Sequence, residues 1–66
     1  MRIRFNGEDM DVKEGISLAW LARDLKIKPQ HVLLELNGTI QAPGNWKMVH
    51  LKDKDRLELL SFVGGG

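Results

Sequence analysis

Three consecutive glycines, Gly64, Gly65 and Gly66, follow the apolar run Leu-Glu-Leu-Leu-Ser-Phe-Val at the end of the sequence. Such an ending offers one kind of chemistry, that of a carboxylate on a thin stalk. A terminal carboxyl has a pKa near about 3.5 and is ionised at neutral pH, so it is a poor electrophile until another molecule activates it. Glycine has no Cβ, so a glycine tail can thread a narrow channel and adopt backbone angles closed to other residues. In an arbitrary protein the same three residues would be a frayed end.

The remaining residue types offer little chemistry of their own. There is no cysteine, which removes disulfides, thiolate metal sites and cysteine nucleophiles. His31 and His50 are the two histidines, and neither stands at a recognisable ligand spacing. The acidic residues fall in turns or on the outward face of strands, where a solvated surface is their ordinary role. No acid–base pair, phosphate loop or metal set is legible. Trp46 follows a Pro-Gly-Asn loop and is expected to anchor it to the core. Trp20 falls toward the polar side of a helix, and no basic surround supports base stacking there.

Composition narrows the class further. A chain of 66 residues amounts to one small domain, too short for two lobes or a deep enclosed pocket. Its formal net charge is +1, so no basic stripe asks for nucleic acid, and no apolar stretch approaches the ~20 residues of a membrane span. The N-terminus alternates charged and apolar residues and lacks a signal-peptide core, and the absence of cysteine staples fits a cytoplasmic protein.

The elements that would carry the tail can be placed from periodicity. Met1, Ile3 and Phe5 alternate with Arg2 and Arg4, which reads as a half-buried strand. Asn6-Gly7 is a strong hairpin signal, because a type I′ turn needs positive φ at both positions. Met10 and Val12 face inward on the return strand, with Glu8 and Asp9 expected to lengthen the turn. Residues 13–29 read as a helix with Ser17 as N-cap and Ile16 and Leu21 at the spacing of a hydrophobic staple. Leu18, Leu21, Ala22 and Leu25 form its apolar stripe, Lys26 and Lys28 suit its C-terminus, and Pro29 blocks continuation. A second hairpin follows, with Val32, Leu34 and Leu36 on one face, Leu33 and Glu35 on the other, Asn37-Gly38 at the turn and Ile40 opening the return strand. Residues 43–51 read as a loop or one helical turn, with Trp46 and Leu51 reaching the core. The last strand has Leu57 and Leu59 inward and Glu58, Leu60 and Phe62 outward. The order β-β-α-β-β-β predicts an α+β domain with the helix across one face of a mixed sheet of four to five strands.

This order, with Glu14–Leu25, His31–Gly38, the Pro43-x-x-Trp46 loop and the closing Asp55–Gly66 segment, resembles the ThiS family of sulfur carriers of thiamin biosynthesis, which have the ubiquitin-like β-grasp fold. The resemblance spans the whole chain and divides it into a β-grasp domain over residues 1–63 and a flexible tail over 64–66. Two positions depart from the family pattern. Lys54 stands in the Asp53-Lys54-Asp55 turn where the family has glycine, so either Lys54 adopts positive φ or the turn type differs. Gly44 stands where the family loop often carries arginine.

The resemblance implies a protein co-substrate rather than an enzyme. An E1-like adenylating partner, ThiF in this family, would use ATP and magnesium to adenylate Gly66. Sulfur from a donor system would then replace the adenylate as a thiocarboxylate, and thiazole synthase, ThiG in this family, would take up the sulfur. Gly64 and Gly65 would be the reach that threads a partner's active site. No permanently bound cofactor, metal, nucleic acid or membrane is implied. Leu33, Leu60, Phe62 and Val63 are the expected docking patch, since ubiquitin-like proteins bind partners through this sheet face. The small subunit of molybdopterin synthase resembles this fold and tail too, and a ubiquitin-like modifier would use the same activated carboxylate.

Overall fold

Two hairpins and a closing strand build one mixed sheet, and a short helix covers one of its faces. The computed structural model describes residues 1–61. Strands β1 (Arg2–Phe5) and β2 (Glu8–Asp11) precede helix α1 (Leu18–Asp24), and β3 (Val32–Leu36), β4 (Thr39–Gln41) and β5 (Arg56–Ser61) follow it. Single turns of 3-10 helix lie at Pro29–His31 and Pro43–Asn45. Across the sheet the strands run β2-β1-β5-β3-β4. The pair β1 and β5 is parallel, and each of the other pairs is antiparallel. This is the β-grasp arrangement, with the last strand at the centre of the sheet.

Both Asn-Gly pairs make the expected turns. Asn6 and Gly7 have φ of 50° and 82°, and Asn37 and Gly38 have 51° and 87°, as a type I′ hairpin requires. One expectation fails here. Phe5 pairs directly with Glu8, so Glu8 and Asp9 belong to β2 and do not lengthen the turn. Both are exposed because β2 is an edge strand: Asp9 lies on the outer face opposite Arg4, as Asp11 lies opposite Arg2, while Glu8 lies on the other face opposite Phe5.

Helix α1 starts where expected and ends early. The Ser17 hydroxyl accepts the Trp20 backbone N–H at 3.1 Å, the bond of an N-cap. Leu18, Leu21 and Ala22 are buried, and Ile16 packs against the same core. The helix stops at Asp24, well before Pro29. Lys26 takes φ of 58°, its N–H bonds to the Arg23 carbonyl at 3.1 Å, and the Ile27 N–H bonds to the Ala22 carbonyl at 2.8 Å. That is a Schellman motif with lysine in the place glycine usually holds. It satisfies two carbonyls that the helix end would otherwise leave free and turns Ile27 back against the core.

The core comprises Ile3, Leu18, Leu21, Ala22, Leu34, Trp46, Leu51 and Leu57. Trp46 is buried with its indole N–H donating to the Gln41 carbonyl at 2.8 Å, which ties the Pro43–Asn45 turn to the end of β4. Two backbone bonds, from Leu18 to Val49 and from Leu51 to Ile16, both 2.8 Å, lay the following segment against the start of α1. Lys54 resolves the question its turn raises. Its φ is 71°, so it keeps the left-handed conformation that glycine would take. Its N–H donates to the Arg2 carbonyl at 2.7 Å, which locks the turn onto β1.

Candidate docking face and carrier tail

Strand β5 is the last element among the described residues. Leu57 is buried and Leu59 packs against the core, while Leu60 is 51% exposed on the opposite face. The strand is held at its start and near its middle by the hairpin asparagines. Asn37 Oδ1 accepts the Arg56 N–H at 2.9 Å, and its Nδ2 donates to Asp55 Oδ1 at 3.0 Å. Asn6 Oδ1 accepts the Leu59 N–H at 2.8 Å, just past the last residue of β1. Each asparagine therefore does two things: it supplies positive φ to its own turn and caps a donor on the central strand. Sequence reading assigned only the first role. The second depends on strand order, which turn residues do not encode.

The outer sheet face divides into rows set by register. Arg4 lies opposite Arg56 on the parallel pair. Glu58 lies opposite Glu35, and Glu35 lies opposite Ile40. Leu60 lies opposite Leu33. The two leucines are therefore neighbours on one face, Leu33 half-buried and Leu60 exposed. Phe62 and Val63, the other expected members of the patch, lie outside the described residues, as do Gly64, Gly65 and Gly66. Ile40, 54% exposed, joins the apolar surface and was not anticipated. Its signal was available, since alternation through the short β4 puts Ile40 on the face of Glu35 once the Asn37-Gly38 turn fixes the register.

Charge on this face is only partly matched. Arg2 Nε donates to Asp11 Oδ1 at 3.0 Å, which holds the Asp11 carboxyl below its ordinary pKa. Arg4 approaches Asp9 at 3.6 Å. Among the described residues no ion pair reaches Arg56, Glu35 or Glu58.

Among the described residues no three metal-ligating side chains come together. His31 is exposed in the turn before β3. His50 Nδ1 lies 3.0 Å from the Gly15 carbonyl, so the tautomer protonated there donates a hydrogen bond that fastens the loop before α1. On the helix side an open groove is lined by Met10, Val12, Ile16, Trp20, Leu21 and Leu25. Trp20 is 61% exposed and stacks under the Arg23 guanidinium, 5.4 Å from the ring centre. No helix among the described residues is long and apolar enough to cross a membrane.

Comparison with known proteins places this geometry. The chain matches the ThiS family over residues 3–66. A crystal structure of the thiamine biosynthesis protein ThiS of Geobacter metallireducens superposes with a TM-score of 0.86 at 32% identity, covering all of both chains. A solution structure of a thiamine biosynthesis protein from that organism gives 0.78 at 32% identity, covering all of this chain and 88% of the other. Among curated relatives, a thiazole synthase of Magnetococcus marinus is 33% identical across the whole chain. The chain spans only 20% of that relative's length. The uncharacterized protein ycf40 of Porphyra purpurea is 30% identical over 97% of this chain and 90% of its own length. A match of this extent, with the same fold and a chain of the same length, means that the protein belongs to the ThiS family, whose members are small sulfur carriers and not catalysts.

Proposed function

We propose that the protein carries sulfur as a thiocarboxylate on Gly66 and donates it for the formation of thiazole in thiamin biosynthesis. The observation that carries this reading is that the family match runs from residue 3 through residue 66 and so includes the three glycines. The carboxylate of Gly66 is activated by an E1-like adenylating enzyme with ATP and magnesium, and sulfur from a donor system displaces the adenylate. Gly64 and Gly65 let the chain enter two different active sites, since neither carries a side chain to obstruct a channel. Leu33, Leu60, Phe62 and Val63 seat the domain on its partners. The likeness to proteins named thiazole synthase favours a ThiG-like enzyme as the acceptor of the sulfur.

Incubation with an E1-like enzyme, ATP and a sulfur source, followed by intact-mass measurement, tests the proposal. The expected result is a mass gain equal to one oxygen-to-sulfur exchange, localised to Gly66. Isopeptide conjugates in place of that gain would make the protein a modifier instead. The variant Gly65→Ala is expected to unfold at the wild-type temperature but to be adenylated far more slowly, because its Cβ narrows the clearance in the partner's channel. Wild-type adenylation of that variant would contradict the threading role.

A further inference from the structure

Strand β2 is an edge of the sheet, and among the described residues no strand pairs with its outer side. The phase of its ladder with β1 tells which of its backbone groups stand free. Met1 and Val12 exchange both of their backbone bonds, each 2.8 Å, so Met10 and Ile3, two residues along, form the next hydrogen-bonded pair. Asp9 and Asp11 alternate with these positions and turn their N–H and C=O groups away from β1. Arg4 and Arg2, which lie opposite them, turn theirs the other way. The Arg4 N–H donates to the Asp55 carbonyl at 2.9 Å, and the Arg2 carbonyl accepts the Lys54 N–H at 2.7 Å. Beside this open edge runs the groove on the helix side. Met10 and Val12 supply its strand side, and Leu21, Leu25 and Trp20 its helix side. Its volume of about 840 Å³ lies in the range of ligand-binding clefts. Leu25 and Trp20 are exposed along it, so an apolar surface adjoins a row of free backbone donors and acceptors.

We propose that β2 and α1 together seat an extended segment of another protein, which adds to the β2 edge as a further strand and in which basic and apolar residues alternate. The free groups of Asp9 and Asp11 ask for an extended backbone, because only a strand presents donors and acceptors at their spacing. Register then fixes the alternation. A residue opposite Met10 points to the helix side and enters the groove, so it is apolar. Residues opposite Asp9 and Asp11 share the outer face with those carboxylates, so they are basic. Strand β1 already shows this pattern on the inner side of β2, where Arg2, Ile3 and Arg4 stand opposite Asp11, Met10 and Asp9. The groove adds to the preference, since Asp11, Glu14 and Asp24 line it against Lys13 and His50. A second copy of this chain offers no such strand. Its β2 is Glu-Asp-Met-Asp and would set carboxylate against carboxylate, its β4 is the uncharged Thr-Ile-Gln, and its β1 is enclosed between β2 and β5. The site goes beyond the carrier role and would serve whether or not Gly66 holds sulfur. It lies on the helix side of the sheet, away from Leu33 and Leu60, so both surfaces can be occupied at once.

The whole chain is titrated with a synthetic peptide of about seven residues that alternates arginine and leucine and is blocked at both ends. Amide exchange and tryptophan emission are followed, and the free chain is sedimented. At saturation, exchange at the Asp9 and Asp11 amides should slow by about tenfold or more, and the emission of Trp20 should move to the blue as the groove fills. A peptide N-methylated on the amides that face β2 should bind about tenfold more weakly or worse. Equal binding of that peptide would mean that no strand is added, and the proposal would fall. A peptide with glutamate in place of arginine should also bind about tenfold more weakly, and equal binding would refute the stated chemistry of the occupant. The double variant Asp9→Asn with Asp11→Asn keeps the backbone groups and should weaken the arginine peptide by about threefold to tenfold, with less salt dependence. Leu25→Asp, at an exposed position of the groove, should weaken it too. Wild-type affinity in both variants would place the peptide elsewhere and overturn the proposal. So would unchanged exchange at Asp9 and Asp11 in millimolar peptide. A free chain that sediments as a dimer with those two amides already protected would give the edge to a second copy, which also overturns it.

Discussion

Four residues other than glycine among those described take positive φ: Asn6, Lys26, Asn37 and Lys54. Asparagine tolerates this conformation, and both asparagines also cap a donor of β5, so each is doubly suited to its position. The two lysines have no such compensation, and they mark places where the backbone overrides the side chain. At Lys54 the bond from its own N–H to the Arg2 carbonyl would survive any substitution except proline. Lys54→Gly should therefore relieve a left-handed strain of about 1–2 kcal/mol, offset by roughly 0.5–1 kcal/mol from the greater freedom of glycine when unfolded. The expected net gain, about 0.5–1 kcal/mol, would appear in thermal melts as a rise of about 2–8 °C. An unchanged or lower midpoint would mean that the turn is not strained by its lysine. The sequence allowed two solutions at this position, positive φ or another turn type. What decided between them was the parallel register of β1 against β5, a long-range pairing that no local window contains.

At the scale of elements, legibility followed how local the determining physics is. The positive φ of both Asn-Gly turns, the N-cap and the inward positions of β1, β3 and β5 are set within a few residues, and each was readable. The C-terminus of α1 was not. A proline several residues on offered an obvious stop, whereas the true stop is a lysine forced left-handed so that Ile27 can return to the core. Tertiary packing thus won over helix propensity, as it does for short helices generally. With only seven residues, α1 depends on its cap more than a longer helix would. Ser17→Ala removes the acceptor of the Trp20 N–H at a site that is itself 7% exposed, so water cannot readily replace it. The expected loss is about 1 kcal/mol in urea unfolding with an unchanged slope, and Ser17→Thr, which keeps the hydroxyl, should recover most of it. Equal losses for both would place the cause in packing around Ser17 and not in the cap.

At the scale of the whole molecule, the buried core and the three glycines occupy separate parts of the chain. Every member of the buried core lies between Ile3 and Leu57, and both asparagine clamps on β5 act at or before Leu59. The leucines of the outer face are bonded into the sheet through their backbones, while Leu60 leaves its side chain exposed. A domain of this size has a thin stability margin, on the order of 5 kcal/mol, so under the proposed function it gains by keeping the reactive end out of its own energetics. The leucine pair was legible from alternation. The charged rows beside them were not, because a like-charge pair exists only once two distant strands are in register. This division predicts the behaviour of a truncated chain. Removing residues 64–66 should leave the unfolding midpoint within about 2 °C of wild type, since the deleted residues contribute no side chain to bury. The same truncation should abolish the oxygen-to-sulfur mass exchange while leaving the E1-like enzyme able to bind the domain through its sheet face. A midpoint lowered by 10 °C or so would mean instead that the tail packs on the domain as part of the fold. The boundary between domain and stalk would then lie earlier in the chain, and the glycines would have to be released before they could be delivered.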